Sequence, residues 1–235
     1  MDCLGYDILR LACCFGAFFN KLLGGNATGI PRPKASSAAD YTFPMDALWT
    51  PWRYQYVTTA DSSERQGIPP QLAAWPGDTG CVFCNLLAAS AYAVENGMPA
   101  EEADRAANIV YRGRHCFICL NAFPYNSGHV MILPYAHTGD FGRLDPIAAQ
   151  EMMALAQRME RIFRDVYRPG GINLGMNLGK AAGAGVTGHL HLHILPRWSG
   201  DTNFMTVVGE TRVLAENLDV TWERLRAALH SADER

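Results

Sequence analysis

The sequence has no long hydrophobic run and no excess of charge of either sign. Its 235 residues carry 20 Lys and Arg against 23 Asp and Glu, which gives a formal net charge of −3. Because this balance creates no general field for a polyanion, we expect no nucleic-acid scaffold role. The uncharged apolar run at residues 11–20 is shorter than the ~20 residues that a membrane-spanning helix needs. We therefore expect neither nucleic acid nor a membrane as a partner.

The number of cysteines is odd. The seven cysteines are not spaced like the disulfide framework of a small secreted domain. This pattern predicts a reducing, cytoplasmic setting in which the thiols are free or bound to a metal. Of the two Cys-x-x-Cys pairs, Cys116 and Cys119 lie in an apolar strand pattern, where residues three apart point to opposite faces. We expect both of them to be small core residues.

The other pair, Cys81 and Cys84, lies at a turn, where two thiolates can reach one ion. Tetrahedral zinc then needs two further ligands. His137 and His189 are the candidates for these positions. The alternatives are two buried free thiols or a redox pair.

The most informative feature that is present is a row of three histidines in GHLHLHILPRW, residues 188–198. His189, His191 and His193 alternate with aliphatic residues, which is the period of a half-buried strand. The pattern predicts that the three imidazoles share one face while the aliphatic residues point into a core. Imidazole titrates near neutral pH, binds metals and attacks phosphorus, so a catalytic or metal-binding role is favoured over packing.

Composition divides the chain into three parts. Residues 1–44 form an N-terminal extension, with an apolar stretch at 10–23 that fits one helix face or a signal-type segment, and then a Gly-, Ala-, Ser- and Pro-rich linker. Residues 45–210 form the main domain. Residues 211–235 are predicted to be a C-terminal helical segment.

Hydrophobic periodicity predicts mixed secondary structure. Helices are expected at residues 81–95, 99–107, 145–167 and 221–229, and strands at 109–111, 116–120, 129–134, 172–177 and 189–197, with a weaker strand at 203–208. Strands combined with one long helix, residues 145–167, predict an α+β fold with an antiparallel sheet.

The histidine row matches the motif His-φ-His-φ-His-φ-φ, in which φ is apolar, and the chain resembles the histidine triad (HIT) superfamily of nucleotide-processing proteins. The resemblance covers roughly residues 48–208. LWTPWR at 48–53, NLG at 177–179 and PRWSGDTNF at 196–204 are similar to the branch that contains bacterial diadenosine tetraphosphate phosphorylases. The resemblance implies a HIT-like antiparallel sheet and a homodimer.

The resemblance also implies catalytic roles for three histidines. His191, the middle one, is implied to attack the α-phosphorus of a nucleotide and to form a nucleotidyl-histidine, which divides one difficult displacement into two. His193 is implied to hydrogen-bond the phosphate or the leaving oxygen. His129 matches a family histidine that lies behind the active site, and it is implied to support His191 or a phosphate.

The remaining site residues also follow from the resemblance. Relatives with an early Cys-x-x-Cys hold a structural zinc ion through positions matching Cys81, Cys84, His137 and His189. The implied nucleotide-binding residues are Asn121 for the ribose, Asn177 and the loop residues Gly185 and Thr187 for phosphate, and Trp198 for the base. Trp49 and Trp52 serve either base stacking or packing.

Three classes of function stay open at this point. The first is a nucleotidyl-transferring enzyme that passes the nucleotide to phosphate, or a hydrolase that passes it to water from a dinucleoside polyphosphate or a phosphoramidate. The second is a nucleotide-binding regulatory protein. The third is a zinc-dependent interaction module that uses the extension as its arm. Transfer to a sugar phosphate is disfavoured, because that family has Gln where this chain has His193.

Overall fold

The computed structural model describes residues 67–203 and 214–233 as an α+β fold built on one antiparallel sheet. The strands are β1 (Ile109–Arg112), β2 (Cys116–Leu120), β3 (Val130–Pro134), β4 (Gly171–Gly175) and β5 (Leu192–Arg197), in the order β1-β2-β3-β5-β4. The helices are α1 (Val82–Glu95), α2 (Ala100–Ala106), α3 (Pro146–Val166) and α4 (Leu218–Asp233), and 3-10 turns occur at Pro70–Leu72, Phe141–Arg143 and Lys180–Ala182. The predicted α+β class is confirmed. The predictions for residues 1–44, for Trp49 and Trp52 and for most of strand 203–208 lie outside the described residues.

The sheet separates two apolar clusters, because successive side chains of a strand point to opposite faces. On one face, alternate residues of β2, β3 and β5 pack against α3 and α4. On the other face, the intervening residues of β2 and β3 pack with α1. Cys116 belongs to the first cluster and Cys119 to the second, and both are fully buried. These two thiols are core residues on opposite faces, as predicted.

Two long helices cover the first face. Helix α3 has 21 residues and begins after Asp145, whose carboxylate accepts a hydrogen bond from the Ile147 N–H at 2.7 Å and so caps the helix. Helix α4 has 16 residues, and its Trp222 donates to the Ile109 carbonyl at 2.8 Å. The expectation of one long helix needs correction, since α4 extends beyond the predicted residues 221–229 at both ends.

Strand β5 is shorter than the alternation predicted. It begins at Leu192, whereas the pattern starts at His189. The Leu190 N–H donates to the Thr138 carbonyl at 2.7 Å, and the His189 side chain bonds to the Pro134 carbonyl at 2.9 Å. This segment therefore bonds to the end of β3 and the loop that follows it, before the ladder with β3 begins.

Among the described residues, no helix combines the length and the apolar character needed to cross a membrane.

Candidate active site and metal centre

Three histidines gather on the α1 face of the sheet, and we call them the histidine cluster: His129, His191 and His193. The ring centroids of His191 and His193 are 4.9 Å apart, and those of His129 and His193 are 5.1 Å apart. His193 pairs with Met131 of β3, which belongs to the core cluster on this face. The structure thus brings the two C-terminal histidines of the row and His129 into one site.

His191 has one nitrogen committed to the backbone. Its Nδ1 lies 2.8 Å from the His189 carbonyl oxygen, which can only accept, so Nδ1 carries the proton. In the neutral ring, Nε2 then has a free lone pair. Burial lowers the pKa of His191, which is only 7% exposed, and this favours the neutral form near pH 7. An uncharged imidazole with an available Nε2 is the form that a nucleophile requires.

His129 and His193 form a directed hydrogen-bond chain. The Tyr125 N–H donates to His129 Nδ1 at 3.1 Å, so this nitrogen is an acceptor. In the neutral ring, His129 Nε2 carries the proton and donates to His193 Nδ1 at 3.0 Å. His193 consequently has its own proton on Nε2. The chain places a hydrogen-bond donor on His193, whose ring lies 4.9 Å from that of His191.

Four side chains beside the cluster form a possible metal site. Cys81, Cys84, His137 and His189 have donor atoms that all lie within 4.8 Å of one another. The His189 Nδ1 atom is 3.5 Å from each of the two sulfurs, and the His137 Nδ1 atom is 3.4 Å from the Cys84 sulfur. Zinc–ligand bond lengths place S and N about 3.6 Å apart along a tetrahedral edge. The donor set and its spacing therefore fit a closed, structural zinc site.

The surroundings of Cys84 and of His189 are also those expected of metal ligands. Burial, together with the neighbouring Cys81 thiol, raises the pKa of Cys84 to about 11, so this sulfur needs a cation to become a thiolate near neutral pH. The His189 Nε2–H donates to the Pro134 carbonyl at 2.9 Å, which leaves Nδ1 free for a metal. A backbone acceptor behind a ligating histidine is usual in metal sites.

The predicted nucleotide-binding residues fall in different places. Asn121 lies next to the cluster, with its Nδ2 atom 3.4 Å from His129 Nδ1. Asn177 follows β4 and is half-buried, while Gly185 and Thr187 are exposed in the loop before His189. Trp198 packs edge-on against Tyr167 at the end of α3, with its Nε1 atom 3.4 Å from the Tyr167 carbonyl. The structure does not bring Trp198 to the cluster, and its role in base stacking stays a prediction.

Sequence reasoning missed two aromatic neighbours of the histidines. The ring of Phe83 lies 5.5 Å from that of His189 and 5.3 Å from that of His191. Tyr125 lies 4.6 Å from the ring of His129. Phe83 stands between the two cysteines of the first pair, and Tyr125 stands four residues before His129, so an aromatic residue next to a motif position was the available clue.

The chain matches one protein-family model and is similar to several proteins of that family. Residues 102–200 match the HIT domain family model. The chain is 33% identical over 174 residues to the AP-4-A phosphorylase of Mycobacterium tuberculosis, across 74% of this chain and 79% of that protein. It is 29% identical over 147 residues to an uncharacterized HIT-like protein of Mycoplasma genitalium, across 62% of this chain and 94% of that one. A zinc-bound histidine triad family protein from Mycobacterium smegmatis matches with a TM-score of 0.48 and 30% identity, covering 66% of this chain and 96% of that one.

Proposed function

The chain belongs to the HIT family, and we propose that it is a nucleotide-processing enzyme that cleaves a dinucleoside polyphosphate through a nucleotidyl-histidine on His191. The observation that carries the proposal is the hydrogen bond from His191 Nδ1 to the His189 carbonyl. This bond leaves Nε2 unprotonated beside a donor on His193. The similarity to an AP-4-A phosphorylase at 33% identity supports diadenosine tetraphosphate as the substrate.

The first step forms a bond between His191 Nε2 and the α-phosphorus. The P–O bond to the other nucleotide breaks, and the electron pair stays on the leaving oxygen. The His193 Nε2–H, held in place through His129, hydrogen-bonds that oxygen and stabilises its developing charge. With diadenosine tetraphosphate, ATP leaves and an adenylyl group remains on His191.

The second step transfers the adenylyl group to an acceptor. An oxygen of inorganic phosphate attacks the phosphorus, the P–N bond breaks, and ADP leaves with His191 restored to its neutral form. We propose phosphate as the acceptor because of the similarity to a phosphorylase. Water attacking the same intermediate would give AMP instead, and this is the alternative hydrolase function.

We also propose a structural zinc ion on Cys81, Cys84, His137 and His189, whose spacing fits tetrahedral coordination. When bound, the ion ties the start of α1 to the segment that carries the histidine row. With four protein ligands the ion would have a structural role, and the proposed reaction steps use the histidine cluster.

Digestion of diadenosine tetraphosphate with and without inorganic phosphate, followed by chromatography, tests the proposal. ADP and ATP formed only with phosphate support a phosphorylase, whereas AMP and ATP formed in both tubes support the hydrolase. If neither tube gives products, the enzyme proposal fails, and nucleotide binding without turnover becomes the better explanation.

The variant His191→Ala should lose turnover by at least ~10⁴-fold while it keeps its fold and its nucleotide binding, because the attacking nitrogen is gone. His230→Ala is the matched control, since this histidine is exposed on α4. Normal activity in His191→Ala would rule out the proposed intermediate.

A further inference from the structure

A cavity of about 240 Å³ lies on the sheet face that carries His193. Its lining includes Tyr125, Asn126, Asn173, Leu195, Arg197 and Asp201. We propose that this cavity binds the second nucleoside of the dinucleoside polyphosphate, the one that departs with the leaving group. The proposal rests on the function proposed above and adds a binding site for the part of the substrate farthest from His191.

The strand register fixes where the cavity lies. Asn173 of β4 pairs with Leu195 of β5, and the next pair on the same face is Gly175 with His193. Residues two apart on a strand share a face, so the cavity lies one pair beyond His193, about 7 Å along the strands. His193 is the residue that faces the leaving oxygen. The cavity is therefore on the leaving-group side of the scissile bond.

Gly175 lies between the histidine cluster and the cavity and has no side chain to separate them. Among the described residues, a Cβ atom built on Gly175 would meet no atom within 4 Å, so residues 67–203 and 214–233 leave the space above it open. Any larger side chain here would project toward the side of the sheet that His193 occupies, because the two residues are paired. A phosphate chain can thus pass over Gly175 from the histidine cluster to the cavity.

The charges of the cavity favour a nucleoside over a free phosphate. Arg197 is paired with Asp201 through two hydrogen bonds, at 2.6 Å and 2.9 Å. Asp201 also accepts from the Trp198 N–H at 3.1 Å and from Asn126 at 2.8 Å. The Asp201 carboxylate therefore neutralises the Arg197 guanidinium within the cavity, and it would repel an anionic ligand.

The remaining lining suits a base and a sugar. The Tyr125 ring lies 5.9 Å from that of His193, so it forms the wall between the cluster and the cavity and offers an aromatic surface. Leu195 adds apolar surface, and Asn173 adds an amide. The volume is below the ~300–1,000 Å³ of pockets for drug-sized ligands, which fits one nucleoside without its phosphates.

Calorimetric binding to the His191→Ala protein tests the cavity without requiring turnover. The two ligands are diadenosine tetraphosphate and adenosine 5′-tetraphosphate, which have equal numbers of phosphates but differ in the second nucleoside. We expect the dinucleotide to bind about tenfold more tightly. Adding Gly175→Val or Asn173→Leu should bring the ratio of the two Kd values close to one.

Leu174→Ile is the matched control. Leu174 lies between Asn173 and Gly175 on the same strand, its side chain points to the opposite face of the sheet from the cavity, and it is 48% exposed, so the variant changes the strand without changing the cavity lining. It should preserve the tenfold preference. Equal affinities in the parent, or a preference that survives both test substitutions, would overturn the cavity proposal. Turnover of the wild-type protein is measured separately, so failure of the enzyme proposal is recognised independently. Absence of binding by both ligands would also overturn the cavity proposal.

Discussion

Single hydrogen bonds decide which nitrogen of four site histidines carries the proton. The His189 carbonyl fixes His191, the Pro134 carbonyl fixes His189, and the Tyr125 N–H fixes His129. These three partners are main-chain groups, whereas His193 is fixed by the His129 side chain. The protonation of three of the four rings therefore depends on the backbone path, which no side-chain motif specifies.

His129→Ala should lower kcat for diadenosine tetraphosphate by about 100-fold, because His193 loses the partner that directs its proton to the leaving oxygen. We expect a smaller loss with the 4-nitrophenyl ester of AMP, whose leaving group needs little stabilisation. Comparison of kcat for the two substrates, with His230→Ala as the control, measures this difference. Equal losses on both substrates would point to a purely structural role.

Asp201 provides a pH-dependent prediction. Hydrogen bonds from Arg197 are the main cause that holds the pKa of this carboxyl well below its usual range. Since the folded-state pKa is depressed, the stabilisation is present above the unfolded value of about 4 and is lost as pH falls toward the folded value. Asp201→Asn should therefore lower the free energy of unfolding by about 1–2 kcal/mol at pH 7, with allowance for solvent screening at the half-exposed Arg197.

Urea unfolding of the wild type and Asp201→Asn at pH 7 and pH 3 measures that effect. The gap between the two proteins should shrink at pH 3. A gap that is constant with pH would show that the carboxylate charge contributes nothing.

At the scale of single residues, sequence reasoning identified the histidines and cysteines but not their partners. The period of two predicted that His191 and His193 share a face, since it depends only on strand geometry. Tyr125 was missed because its importance comes from a loop that folds back over His129. The pairing of Arg197 with Asp201 was missed because both residues lie around a turn at the end of β5.

At the scale of elements, the proposed zinc ion connects parts of the chain that are far apart. The N-terminus of α1 supplies two ligands, the loop after β3 supplies His137, and the segment before β5 supplies His189. Such a link stabilises the folded state because the unfolded chain has no preformed site.

Cys81→Ser combined with Cys84→Ser should remove the bound zinc and lower the thermal unfolding midpoint by at least ~5 °C. Elemental analysis and calorimetry of the purified protein measure both effects. Cys116→Ala with Cys119→Ala is the control, because it removes the same number of thiols from the core and should keep the metal. Wild-type protein that contains no zinc and resists chelators would contradict the proposal.

The predicted bounds of a strand agree best with the structure where the strand is hydrogen-bonded to a neighbouring strand on both sides. Strand β2, central and buried, spans Cys116–Leu120 as the pattern predicted. Helix α3 also agrees to within a residue at each end, since Asp145 caps it. Residues 189–191 keep the alternation but lie outside the strand ladder. The Leu190 N–H bonds to the Thr138 carbonyl and the His189 side chain to the Pro134 carbonyl, and periodicity cannot reveal these tertiary contacts.

At the scale of the whole molecule, β4 is an edge strand within the described residues, next to β5 only. Its Leu174 is 48% exposed. An open edge with an exposed apolar side chain favours pairing with another chain. The homodimer expected from the family resemblance remains a prediction, and this edge is where we expect it to form.

Light scattering coupled to gel filtration should give twice the mass of one chain for the wild type. Leu174→Lys should shift the mass toward that of one chain, because it places a charge beside the edge. Leu214→Lys, at another exposed leucine outside the sheet, is the control. A monomeric wild type would contradict the predicted homodimer.

His189 performs two separate tasks with two separate groups. Its ring faces the cysteines, whereas its carbonyl oxygen orients the His191 ring. A substitution at this position removes the first group and retains the second, because every amino acid has a carbonyl. The proposed metal-dependent stability and the proposed reactivity of His191 can therefore change independently during evolution. A descendant could replace its metal ligands with ordinary packing and still inherit a correctly aligned nucleophile.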